Sequence, residues 1–255
     1  MPGREGGAGL KRFFLALRFL TIFPYGGGNA DVSEEDLCVS TVYYPLAGGI
    51  VGALLSLFFV MAGKVLPALL TAVLTVTAWV IITAGLHLDG LMDTFDGLGV
   101  RGNLEKRLDV MRDSRVGAFG VLAAVLLLLL KTAALATLSP EIKWPVLFMA
   151  PVAGRTAMVA LMATSRYARA GQGLAKSFVE GTGLYQLAVS FTLFALLGWL
   201  SLGGRVLIFA LIQVIIFLLL RKTSQSWFGG VTGDLLGAAC EIHEFTALLS
   251  AYILF

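Results

Sequence analysis

Long apolar runs joined by short polar connections dominate the chain. A transmembrane helix needs about 20 mainly apolar residues. Windows 45–62 and 67–86 meet that requirement, with Lys64 in the turn between them. Window 121–138 is leucine-rich and contains Lys131, and window 144–164 contains Arg155. Windows 187–202 and 206–220 follow, separated by Gly203, Gly204 and Arg205. A weaker window, 235–255, carries Glu241, His243 and Glu244 in its first half, where charge is costly in lipid. The pattern predicts an all-α, polytopic integral membrane protein with about six to seven transmembrane helices. Ahead of them, Arg18 interrupts the apolar stretch that follows Lys11 and Arg12, and no small-residue cleavage site comes after it. Residues 13–23 therefore read as an amphipathic interfacial helix, stopped by Pro24 and by Gly26, Gly27 and Gly28. The alternative is a ragged start to a first span.

Composition agrees with lipid contact. Of 255 residues, 58% are hydrophobic and 14% charged, against about 25% charged in soluble domains. The mean hydropathy is +0.87. A globule of this size needs more polar residues to cover its surface. The net charge of +3 is modest. The basic residues flank apolar runs, as at a membrane boundary, and form no nucleic-acid surface. Two cysteines, Cys38 and Cys240, support neither a disulfide framework nor a zinc site. No internal repeat, low-complexity tract or linker divides residues 1–255, which read as a single membrane-embedded domain. No sequence feature fixes an oligomeric state.

Alternating the spans sorts the basic residues onto two faces. One collects Arg4, Lys11, Arg12, Arg18, Arg101, Lys106, Arg107, Arg112, Arg115, Arg166, Arg169, Lys176, Arg221 and Lys222, while the other has Lys64, Lys143 and Arg205. The rich face is expected to be cytoplasmic, in a plasma membrane of bacterial type. It carries the long connections 87–116, 165–185 and 221–234.

The first connection opens with Asp89, Asp93 and Asp96 at i, i+4 and i+7, one face of a helix. Three stacked carboxylates repel unless a cation neutralises them. Hard oxygen ligands suit Mg²⁺, which is commonly shared between one or two carboxylates and substrate phosphates. Such a site positions a diphosphate and neutralises charge on a leaving group. The bland alternative is a solvated acidic helix end. His87 beside the cluster is a candidate catalytic group, though a lone histidine is more often a hydrogen-bonded structural residue. Farther on, Arg112 and Arg115 are candidates to grip phosphate oxygens bidentately, and Asp113 to bind metal or orient a hydroxyl. Arg107 is divided evenly between phosphate binding and a surface ion pair. In the last connection, Gly229, Gly230, Thr232 and Gly233 suit a loop presenting backbone N–H groups at a helix start. Asp234, Glu241 and Glu244 recur near one face of the helix that follows, and Lys131 and Arg155 are plausible partners for the two glutamates. Arg166, Tyr167 and Arg169 have the ordinary explanation of snorkelling anchors.

Four segments together resemble the adenosylcobinamide-GDP ribazoletransferase, or cobalamin synthase, family. They are Tyr44-Pro45-Leu46; residues 85–97, GLHLDGLMDTFDG, similar to GLHLDGLADTADG; residues 111–120, MRDSRVGAFG, similar to MKDSRIGAFG; and residues 229–244, similar to GGITGDTLGAxxExxE. Met92 and Phe95 stand where small residues are common in the family. The resemblance implies that α-ribazole, or its 5′-phosphate, is joined to adenosylcobinamide-GDP with release of GMP in a Mg²⁺-dependent reaction. It implies Mg²⁺ on Asp89, Asp93 and Asp96 and phosphate on Arg112 and Arg115. Asp113 would assist the metal or the nucleophile, and Asp234, Glu241 and Glu244 would line the cavity. Competing readings are an isoprenyl-diphosphate or CDP-alcohol transferase, neither of which accounts for the Asp-Ser-Arg and Thr-Gly-Asp segments, and a transporter coupled through Glu241, Glu244 and Arg155.

Overall fold

The computed structural model describes residues 3–24, 32–171 and 173–255, with side chains for all of these except 3–7, 140 and 141. Among the described residues it is helical throughout, with a lone backbone bridge between Tyr167 and Val231. The expected stop at Gly26, Gly27 and Gly28, and the side chain of Arg4, lie outside the described set.

Helix α1 (Gly3–Leu20) is amphipathic, buries Leu15, Ala16 and Leu20 and leaves Leu10 exposed. It starts earlier and ends sooner than residues 13–23. The chain after it is pinned where the Ile22 N–H donates to the Ile82 carbonyl at 2.8 Å. Helix α2 (Glu34–Ser40) is capped by Ser33, and its Asp36 accepts from Lys11 and Arg12 of α1 at 2.7 and 3.0 Å. A 3-10 turn leads into α3 (Tyr44–Ala62), with proline in its first turn, where no intrahelical N–H is lost.

Helix α4 (Ala68–Ile82) corrects the expected span 67–86. It is 15 residues long, roughly 22 Å, against about 30 Å of hydrocarbon. Ala84 (φ 52°) and Gly85 (φ 67°) are left-handed and end it. Helix α5 (Leu86–Gly99) leaves at 90° and so lies across the end of the bundle. Helix α6 (Leu104–Val110) is capped by Asn103, whose side chain accepts from the Lys106 N–H.

Helices α7 (Ala118–Thr137) and α8 (Pro140–Thr164) contain the third and fourth expected spans. After α9 (Leu174–Gly181), α10 (Leu184–Leu202) and α11 (Val206–Phe228) form one 45-residue apolar run. Straight, it would reach about 67 Å. It is folded back at Gly203, whose φ is 59°, and the rings of Phe194 and Phe209 stack at 5.9 Å. Helix α12 (Gly233–Leu254) completes the chain. Among the described residues, four runs are long and apolar enough to cross a bilayer, five with the bent α4–α5 pair. The acidic α12 is not among them.

Helix α8 is the axis of the bundle, 89% buried over its apolar window. Helix α3 approaches it through Gly48 and Gly52, where a Cβ would fall 2.5 Å from the Pro151 carbonyl and 2.2 Å from that of Phe148. Small residues four apart are a common device for close helix contact in membranes. Helix α12 packs where Gly154 meets the Cys240 carbonyl. Leu129, Leu200 and Leu207 on the outer helices are 61%, 72% and 71% exposed, an apolar exterior suited to lipid and not to water. At one end, the three long polar connections meet. Ala168 and Val231 share a 2.9 Å backbone bond, Arg221 donates to the Thr164 carbonyl, and Arg169 reaches both α12 and the end of α6.

Candidate active site

Helix α5 can lie across the bundle because glycine faces its neighbours. A Cβ at Gly90 would fall 2.8 Å from the Asp234 carbonyl, and one at Gly237 3.2 Å from the His87 backbone. The first turn of α12 therefore sits directly against α5. This contact brings Asp234 beside the carboxylate face of α5.

The three aspartates of that face differ in environment. Asp89 is exposed, Asp93 half-buried and Asp96 buried. Asp96 accepts the N–H groups of Gly117 and Gly120, both at 2.8 Å. It thus caps the start of α7, where the helix dipole favours a negative charge. Asp93 has the opposite situation. Partial burial, then Asp234, Asp89 and Asp96, push its carboxyl up to about 6, and Arg169 pulls weakly the other way. Its charged form lacks compensation.

Asp234 receives Arg169 Nη2 at 2.7 Å, and the Thr232 hydroxyl lies 3.3 Å away. Thr232 is buried and caps α12, accepting from the Leu235 N–H at 3.2 Å. Arg169 also reaches the Met111 carbonyl at 3.4 Å, and its buried Nε has no partner among the described residues. It belongs to this site and is no simple interfacial anchor. Nothing local in the sequence signals that, because the bridge between residues 166–168 and 231 is what carries Arg169 there.

The other expected residues are placed apart from this cluster. The guanidinium of Arg107 lies 4.5 Å over the Trp227 ring and donates to the Trp227 carbonyl at 3.3 Å, tying α6 to α11. Arg112 is exposed, without an ion pair among the described residues. Asp113 and Arg115 pair with each other at 2.6 Å, and the side-chain and backbone hydrogen bonds from Arg115 hold the Asp113 carboxyl down to about 2. Glu241 and Glu244 do not line the acidic site. Lys131 donates to each at 2.6 Å, Arg155 also pairs with Glu244, and all four side chains are buried in the bundle. Lys131 sits 4.3 Å over the Trp79 ring. His87, also buried, places Nδ1 3.5 Å from Arg155 Nη2, and its Nε2 is unpartnered.

Among the described residues, no three His, Cys, Asp or Glu side chains converge closely enough to hold a metal ion alone. Both oxygens of Asp96 are occupied by backbone N–H groups. Asp89, Asp93 and Asp234 are the neighbouring carboxylates with oxygen to offer. This donor set still suits Mg²⁺, which usually takes one or two carboxylates and completes its shell with water and substrate phosphate. Beside the cluster, at the α1–α4–α5 junction, is a cavity of about 560 Å³ that reaches Asp89 and Met92.

Comparison with known proteins gives a consistent result. The sequence profile of the Cobalamin-5-phosphate synthase family matches residues 12–252. The adenosylcobinamide-GDP ribazoletransferase of Clostridium acetobutylicum is 35% identical, covering 95% of this chain and 96% of its own. Those of Alkaliphilus metalliredigens and Pseudomonas fluorescens are each 40% identical, covering 94% and 93% of this chain and 94% and 97% of their own. No solved structure matches the chain.

Proposed function

Because the chain belongs to the Cobalamin-5-phosphate synthase family, we propose that the carboxylate-lined end of its bundle is where adenosylcobinamide-GDP and α-ribazole, or α-ribazole 5′-phosphate, are joined. The chain is a transferase of the final assembly step of cobalamin. In the reaction the ribazole 3′-hydroxyl attacks the phosphorus attached to cobinamide. A new P–O bond forms, the diphosphate bridge breaks, and GMP leaves.

The observation that carries this reading is the packing of α12 on α5 at Gly90, which sets Asp234 beside the face of Asp89 and Asp93; partial burial first, and then these carboxylates, push Asp93 up to about 6. A divalent cation relieves that repulsion. Bound there, Mg²⁺ would supply charge neutralisation for the leaving group. Asp93, Asp89 and Asp234 would hold it, and Asp96 fixes the end of α5 by capping α7. Arg169 stands next to Asp234 and is placed to hold non-bridging phosphate oxygens. Exposed Arg112 is a second grip for the diphosphate. Asp113, held at about 2, is too weak a base for the hydroxyl, and its part is to orient Arg115. The charge asymmetry of the connections supports a bacterial-type plasma membrane with this end in the cytoplasm.

The test is GMP formation by purified protein in liposomes, given Mg²⁺, adenosylcobinamide-GDP and α-ribazole. Wild type forms GMP, chelation stops it, and Asp93→Asn lowers turnover about 100-fold or more while still inserting. Near-normal turnover by the variant would remove the metal assignment.

A further inference from the structure

The cavity at the α1–α4–α5 junction takes no part in holding the acidic cluster together. Its volume of about 560 Å³ lies within the usual range for small-ligand pockets. Phe19, Leu86, Leu88 and Met92 supply apolar wall, and Arg18 and Asp89 supply the charges. Its frame is well fastened. The Thr21 hydroxyl donates to the Leu17 carbonyl at 2.6 Å and accepts the Phe23 N–H at 3.3 Å, while Ile22 is bonded to Ile82. Ala84, on the rim, holds φ at 52°, a sparsely populated conformation for a residue with a Cβ. That turn opens the corner between α4 and α5.

The charges are arranged unequally. Lys11 and Arg12, earlier on α1, are both engaged by Asp36. Arg18 is exposed, lines the cavity and has no hydrogen bond or ion pair among the described residues. The planar guanidinium fork in that setting is ready to hold two oxygens of an anion such as phosphate. Asp89, also lining the cavity, belongs to the carboxylate face of α5. A ligand filling the cavity therefore presents one end to the proposed reaction centre.

We propose that this cavity is the acceptor subsite and that it selects a nucleoside monophosphate. The flat base lies against Phe19, Leu86, Leu88 and Met92, the phosphate on Arg18, and the ribose hydroxyl toward Asp89. The assignment rests on the functional reading of the acidic end. The same phosphate chemistry is offered by a lipid headgroup, and the two sources behave differently in the test.

Arg18→Gln is compared with wild type in liposomes, using α-ribazole and α-ribazole 5′-phosphate in parallel. Loss of a charge-assisted bond raises KM for the phosphorylated acceptor about tenfold or more, and KM for the unphosphorylated one stays within about twofold. Turnover with the unphosphorylated acceptor reports that the variant is folded. Arg18→Lys recovers part of the loss. Equal changes for both acceptors, or none for either, overturn the subsite, and a headgroup contact gives the former. A calorimetric titration with α-ribazole 5′-phosphate in Mg²⁺-free buffer provides a second readout. Wild type binds and Arg18→Gln binds about tenfold or more weakly; equal binding overturns the subsite. If wild type forms no GMP from either acceptor, the functional reading fails, and the titration still decides the subsite.

Discussion

Glu241 and Glu244 in the middle of the bundle, and Asp89, Asp93 and Asp234 at its end, are the same chemical group in opposite electrostatic circumstances. In the middle, two carboxylates face two cations, Lys131 and Arg155, sealed from solvent. At the end, Asp234 is paired with Arg169, while Asp93 faces further carboxylates and has no ion pair of its own among the described residues. The first arrangement is complete and holds helices α7, α8 and α12 together. The second is incomplete, and its unmet charge is what a cation and a diphosphate would complete. Motif spacing does not separate the two cases. Charge balance does.

The comparison breaks most visibly at Glu244. Glu244→Gln strips Arg155 and Lys131 of a shared partner, and breaking a buried pair costs about 3–5 kcal/mol. The melting temperature in detergent should fall by roughly 10 °C or more. A melting temperature within a degree or two of wild type would mean that the middle network is not balanced as described. Gly90→Ala acts on the junction between the two regions. Its Cβ would meet the Asp234 carbonyl at 2.8 Å, so α5 must shift from α12. Overpacking of this kind costs about 1–3 kcal/mol, and GMP release should fall more steeply than melting temperature, since Asp93 and Asp234 move apart. Loss of stability without loss of turnover would detach Asp234 from the site. Arg107→Ala has the smallest effect. It removes a half-buried stacking contact with Trp227 worth about 1 kcal/mol, and turnover should stay within about twofold. A collapse of turnover would return Arg107 to the phosphate-binding group.

Much of the architecture was legible because apolar length and helical period are local properties. The windows 45–62, 144–164 and 206–220 lie inside α3, α8 and α11, and the fold-back at Gly203 was marked by the glycines themselves. The pairing of Lys131 and Arg155 with the glutamates followed from the cost of lone charge in lipid. The break after Ile82 was not legible. Thr83, Ala84 and Gly85 continue an apolar run, and a left-handed alanine has no sequence signature. The site was legible only in part for a similar reason. Its carboxylates share a helix face, but Asp96 serves as the cap of α7, and Arg169 arrives through a long-range backbone bridge. Both are products of tertiary packing.

Above a pH of about 6, Asp93 is charged against its surroundings. The sign follows from its raised carboxyl. The folded protein holds the proton more tightly than the unfolded chain, so this group's contribution to stability is present below 3.8 and lost as pH rises through about 6. Asp93 is half-exposed, so screening trims the cost to about 1 kcal/mol, roughly 2–4 °C. The direct measurement is thermal melting of wild type and Asp93→Asn at pH 7.5, with and without Mg²⁺. Without Mg²⁺ the variant should melt about 2–4 °C above wild type, and Mg²⁺ should raise wild type and leave the variant unchanged. A variant that melts below wild type, with Mg²⁺ stabilising both equally, would contradict the account.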